Sequence, residues 1–224
     1  VWSRLVAWII ERSLRRTFRR VCWVGAWPTL PEAKPVVLYA NHHSFYDGYL
    51  LWYLARHHLG RATVTWMEDW DRFPFFAALG ALPFPRGDAV RRAATVRRTA
   101  RRLRTHPGTA FIYFPEGLLH PPEDGLAPFS SLPLERLARL LPPCTWWPVA
   151  LHVTWWGESH PTALLAGGTP HDALAGDEWE RLNAVWHALR STRPAETTLL
   201  LEGRSSPQET WNLSLLKHLF ERHP

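Results

Sequence analysis

Pro35-Val36-Val37-Leu38-Tyr39-Ala40-Asn41-His42-His43-Ser44-Phe45-Tyr46-Asp47-Gly48 runs from an apolar stretch straight into a polar turn. The first six residues read as a short buried strand. Gly48 to Leu59, rich in Leu, Tyr, Trp and Ala, reads as the helix that follows. His42 then stands at a strand end and Asp47 in the first turn of the helix. Across such a turn an imidazole and a carboxylate five positions apart can meet. The carboxylate holds one ring nitrogen protonated and leaves the other as a base. A plainer reading of the same residues is a Ser44-x-x-Asp47 capping box that satisfies helix N-terminal amides. The spacing alone is weakly specific, so the rest of the chain decides between them.

Working outward, strands and helices alternate. Residues 2 to 21 read as a helix: Leu5, Ile9, Ser13, Thr17 and Val21 line up beside Val6, Ile10, Leu14 and Phe18, and six arginines fill most of the remainder. Trp2 and Trp8 would anchor it in a membrane interface; the alternative is a surface helix docked on its own core. Pro28 and Pro31 close this segment. A second strand is expected over 61–68 and a short apolar helix over 73–79. Asp88 is a good N-cap for a helix from Ala89 to about Arg104. That helix carries seven arginines around a narrow stripe of Val90, Ala93, Ala94, Val96, Ala100 and Leu103. The arginines read either as a solvated face or as a contact for anionic head groups or an acidic acyl carrier. Thr109 to Phe114 is a clear buried strand running into Pro115-Glu116-Gly117, at the sheet rim where α/β proteins bind ligands. A helix over 134–141, a strand over 146–153, a shorter strand at 163–166, a helix over 177–190 and a strand-like 197–201 follow. Ser206-Pro207-Gln208-Glu209 opens a last helix.

The chain of 224 residues carries a formal charge of +6, which points to an anionic partner. Fourteen tryptophans are a large excess, and tryptophan favours membrane–water interfaces. No apolar run approaches bilayer-spanning length, and the N-terminal stretch does not read as a signal peptide. Cys22 and Cys144 have no metal-type spacing and read as reduced core thiols.

In order, the chain shows Asn-His-x4-Asp at 41–47, Gly-x5-Arg at 80–86, Phe-Pro-Glu-Gly at 114–117 and a strand holding Pro148-Val149. Over residues 35 to 155 this resembles the glycerophospholipid acyltransferase superfamily, the lysophosphatidic-acid-acyltransferase-like enzymes. The resemblance implies that His42 is the general base, taking a proton from an acceptor hydroxyl as it attacks an acyl thioester, with Asp47 orienting it. It also implies that Asn41, Arg86, Phe114, Pro115, Glu116, Gly117 and Pro148 form the substrate site. Arg86 and Glu116 would hold the acceptor, and Gly117 with nearby amides would face the oxyanion. The co-substrate would be acyl-CoA or an acyl-carrier protein, with no metal and no tightly held cofactor. Two departures stand out. Phe84 sits one place later than the second block usually has it. The third block continues Leu118-Leu119-His120 where Thr-Arg-Ser is usual, so the arginine associated with phosphate recognition is missing.

The expectation is therefore a single α/β domain with a mixed, mostly parallel sheet flanked by helices and an N-terminal amphipathic helix. Residues 1–34 would form a membrane-associating helical segment and residues 35–224 the acyltransferase domain. The protein would act peripherally at the cytoplasmic face of the cell membrane, on anionic lipid surfaces, and take a lipid acceptor. A catalytically silent membrane-binding module is the rival. A nucleic-acid partner is not expected, because no recognised motif accompanies the arginines.

Overall fold

The computed structural model describes residues 2–205. Its centre is one eight-stranded sheet in the order β4-β3-β5-β2-β6-β7-β1-β8. The strands are β1 (Arg20–Val24), β2 (Val36–Ala40), β3 (Ala62–Met67), β4 (Ala81–Pro83), β5 (Thr109–Tyr113), β6 (Thr145–Thr154), β7 (Thr162–Gly167) and β8 (Thr197–Glu202). The helices are α1 (Trp2–Thr17), α2 (Asp47–Tyr53), α3 (Ala89–Thr105), α4 (Ser131–Leu140) and α5 (Glu178–Arg190), with a π turn continuing α2 and a 3₁₀ turn at Pro74–Leu79. Strands β4, β3, β5, β2 and β6 run parallel. The β6–β7 and β1–β8 pairs are antiparallel, so the sheet is mixed and mostly parallel, as expected.

All five residues of β2 are buried, because helices cover both faces of a parallel sheet. One layer holds Ile10 and Leu14 of α1 with Leu50 and Leu51 of α2. The other holds Ala100 and Leu103 of α3, Leu134 and Leu137 of α4, and Leu182, Trp186 and Leu189 of α5. Among the described residues five tryptophans belong to the core (Trp23, Trp52, Trp146, Trp147 and Trp186), so their excess in the sequence owes much to packing.

The helix read over 2–21 ends at Thr17, and Arg20–Val24 is a strand hydrogen-bonded between β7 and β8. The segment before residue 35 is thus not wholly helical and contributes to the sheet. Val21-Cys22-Trp23-Val24, β-branched and aromatic before Gly25, was the available signal. Helix α1 has a buried face and an exposed one. Val6, Ile10 and Leu14 point inward, while Leu5, Ile9, Trp2 and Trp8 stay exposed. Each buried side chain contributes roughly 1.5–3 kcal/mol, so α1 is docked on this fold whatever else it touches. On α3 the expected Ala100 and Leu103 are buried, but Thr95 and Thr99 complete the buried stripe, while Ala93 and Ala94 are exposed and Val90 is 80% exposed. The threonines are tolerated inside because Thr95 donates to Pro83 O and Thr99 accepts from Trp66 Nε1. Asp88 caps α3 as expected, accepting from Arg91 N at 2.8 Å. The capping box at 206–209 lies outside the described residues.

Candidate active site

After β2 the chain turns into α2 on one face of the sheet, and after β5 it leads to α4 on the other face. Neighbouring parallel strands whose connections part in this way open a crevice at their C-terminal ends. His42 follows β2 and Glu116 follows β5, so the two motif turns face each other there.

His42 Nδ1 lies 3.1 Å from Asp47 Oδ2. The same oxygen accepts the backbone N–H groups of His43 and Ser44, each at 2.7 Å. The contact with the histidine ring and the contacts with the turn amides are therefore both made by one atom of Asp47. Asp47 is 1% exposed, and burial raises its carboxyl above the usual range against the pull of these three donors. The ring of His42 stacks on Phe114, centroids 4.3 Å apart. Its backbone is clamped twice: His42 N donates to Glu116 Oε2 at 2.7 Å, and His120 N donates to His42 O at 3.2 Å. With Nδ1–H directed at Asp47, Nε2 is the nitrogen that carries the lone pair.

Several residues expected at the substrate do other work. Asn41 is fully buried, and its amide pairs with both Leu151 N and Leu151 O, extending β2 along β6 past the last backbone pair. The Glu116 carboxylate is also buried. It accepts from His42 N and from Ala127 N, so it braces the site loops rather than reaching outward. Burial pushes its pKa up. Gly117, at φ +69°, makes the turn, and its N–H is donated to Phe114 O rather than left for an oxyanion. Pro148 lies inside β6, paired with Tyr39 and packed against Gly168, not at the rim. Pro115 is half-buried between the Phe114 platform and Glu116. Arg86 is exposed and pairs with Glu68 at 2.7 Å. It stands at the same sheet edge as His42, but three strands across, about 14 Å at ~4.8 Å per strand.

His43, one position past the motif histidine, is tied into the site through both ring nitrogens. Because Leu151 fixes the orientation of the Asn41 amide, Asn41 Nδ2 donates to His43 Nδ1 at 3.0 Å. His43 Nε2 then carries the proton and donates to Gly125 O at 3.1 Å. Burial, and then the neighbouring His120, lower its pKa to about 4. His43, Glu116 and His120 bring ligand atoms within 4.8 Å of one another. A metal would need a lone pair on His43 Nε2 and an acceptor at Nδ1, the reverse of what Asn41 and Gly125 impose. As bonded here, both ring nitrogens of His43 are engaged in hydrogen bonds.

His120 is turned inward, Nε2 3.2 Å from Glu116 Oε2 but off the line of a good hydrogen bond. Leu118 and Leu119 are exposed on the rim, as is Phe45. His152 went unnoticed in the sequence because nothing in its spacing marks it. With His43, Ser44 and Asp47 it lines a cavity of about 30 Å³, room for one water, and its buried Nδ1 has no hydrogen-bond partner among the described residues.

A histidine held by a buried carboxylate at the switch point of a mostly parallel sheet places the protein in the α/β class. The comparisons with known proteins agree with that class. The family model Acyltransferase matches residues 26–140, just over half of the chain, and the protein belongs to that family. Among solved structures, it resembles the crystal structure of the 1-acyl-sn-glycerophosphate (LPA) acyltransferase PlsC from Thermotoga maritima. The TM-score is 0.59 at 19% identity, over 85% of this chain and 82% of that one. No curated protein sequence matches significantly.

Proposed function

We propose that the protein transfers a fatty acyl group from a thioester, of CoA or an acyl-carrier protein, to a hydroxyl of a glycerolipid or lysophospholipid-type acceptor. His42 Nε2 takes the hydroxyl proton as the oxygen attacks the thioester carbonyl. Asp47 stabilises the imidazolium that forms. As the tetrahedral intermediate collapses, the carbon–sulfur bond breaks and the thiolate leaves, taking up a proton. A thioester is already activated, so no protein nucleophile is required. The observation that carries this reading is the His42–Asp47 contact at 3.1 Å, held by a two-point backbone clamp at a sheet switch point. Acyl-CoA consumption with a lysophosphatidate acceptor tests it. His42→Ala should lower kcat by roughly 10²–10⁴, with the circular-dichroism melting curve unchanged. Near-normal turnover in His42→Ala would remove the mechanism.

The rim favours a second acceptor class. The usual arginine is absent, His120 is directed at Glu116, and Leu118 and Leu119 form an apolar lip. His120 is thus poorly placed to substitute for the missing cation, and a non-phosphorylated lipid alcohol or glycolipid fits this lip. Matched acceptors with and without the phosphate, compared by kcat/KM, separate the two.

The reading places the protein peripherally on the cytoplasmic face of a membrane. Among the described residues no helix is long and apolar enough to cross one. The exposed Trp2, Leu5, Trp8 and Ile9 of α1, with Arg12 stacked over Trp8 and Arg16 further along the helix, form a face suited to an anionic interface.

A further inference from the structure

Helix α3 contains seven arginines and no acidic residue. Arg91 pairs with Asp71, and Arg92 lies over the Phe84 ring. Arg97, Arg98, Arg101 and Arg104 are exposed, and no acidic partner is found for them among the described residues. Positions 97, 101 and 104 fall on one line of the helix over about 10 Å of its axis. The exposed Val90, Ala93 and Ala94 precede them on the same side. Like charges at three- and four-residue spacing repel and weaken a helix, while the fold draws its packing from the opposite side of α3. An uncompensated single-sign face of this kind is suited to a counter-charge brought from outside.

The placement of α3 selects among counter-charges. It packs on the sheet face opposite α1. With α1 on a bilayer, the sheet stands between the lipid and α3, and these arginines face water. Their partner is then soluble and acidic. Helix α3 also begins directly after β4, at the sheet edge that carries His42. From that edge the helix runs back along the sheet, so Arg97 lies about 12 Å and Arg104 about 22 Å along its axis from Ala89, a span the tethered acyl group of a carrier seated on them has to cover to reach the base. The face is a convex helix with a small apolar foot, a shape for another protein surface rather than the slot a nucleotide requires.

We propose that the outward face of α3 is the docking surface for an acidic carrier protein that delivers the acyl thioester. The inference rests on the acyl-transfer reading and chooses between its two donors. The test compares palmitoyl-CoA with a palmitoylated acidic acyl-carrier protein as donors to one lipid acceptor, for the wild type and for R97E/R101E/R104E. With the carrier donor, kcat/KM should fall at least about tenfold in the variant, and added salt should weaken the wild type in the same sense. The CoA reaction and the melting temperature should change little. The neutral variant R97Q/R101Q/R104Q should give a smaller loss with the carrier donor alone. Equal losses with both donors would overturn the proposal, as would a loss of binding to anionic vesicles in place of the carrier defect. If the wild type uses CoA and ignores the carrier, the docking proposal fails and acyl transfer stands. If it uses neither donor with any acceptor, acyl transfer itself fails, and the proposal with it.

Discussion

His42 depends for its setting on four neighbouring residues. Asp47 fixes its tautomer, Phe114 its ring plane, and Glu116 with the His120 amide its backbone. Asp47→Asn should therefore cut kcat, by up to about 10⁴, with KM little changed, because the loss is of orientation and imidazolium stabilisation. A rise in KM with kcat little changed would assign Asp47 to acceptor binding instead. His43 makes a pH prediction. Folding holds it neutral with a pKa lowered to about 4, whereas the unfolded chain protonates it near 6.5. The unfolded state binds the extra proton, so this contribution is present above about pH 6.5 and is lost as pH falls towards 4. Asp47 and Glu116, raised by burial, act in the opposite direction. The difference between wild type and His43→Gln isolates the histidine. The urea midpoint should drop less steeply between pH 7 and 4.5 in the variant, and parallel curves would refute this assignment.

At the scale of elements, the motif glycine Gly80 joins the 3₁₀ turn to β4. It sits at φ +96°, and a Cβ there would lie 1.9 Å from Thr63 O of the adjoining strand. Gly80→Ala meets both left-handed strain and a backbone clash, and should cost roughly 2–4 kcal/mol. Gly87, at φ +78° with nothing within 4 Å of its Cβ position, carries the strain alone, and Gly87→Ala should cost about 1–2 kcal/mol. Chemical denaturation of the pair measures the difference, and equal costs would mean that β3 yields to the methyl. Helix α1 has a comparable duality, since Ile10 and Leu14 complete the core beneath the sheet. Deleting the helix to probe membrane binding would strip that core, so its outer face has to be altered by substitution.

For the whole molecule, the two sheet faces carry different surfaces: exposed tryptophans on the α1 side and bare arginines on the α3 side. Trp2 is 74% and Trp8 54% exposed, so Trp2→Ser/Trp8→Ser should weaken binding to anionic vesicles about tenfold or more, equivalent to ~1.4 kcal/mol, without lowering the melting temperature. Sedimentation with vesicles of defined charge checks this. Unchanged binding would show that α1 is only a core helix.

The strand β2, the turn that bears His42, the capped helix α3, the strand β5 and the order of the four motif blocks were all legible in the sequence. Each is set by local patterning: apolar runs, a capping aspartate, glycine and proline at turns. What lay beyond it was pairing between segments far apart in the chain. Residues 20–24 carry a strand-like run, but only β7 and β8 provide the ladder that makes it a strand. Asn41 and Glu116 are motif residues whichever way they point. The partners that turn them inward, Leu151 and Ala127, lie 110 and 11 residues away. His120 simply follows the motif turn in the sequence, and only folding sets its ring beside His43 and Glu116. Residue types and spacing therefore determined which groups stand at the strand ends. Which of them face solvent, and which brace the one that does, was decided by the tertiary structure, because a buried polar group must find its hydrogen bonds wherever the fold places them.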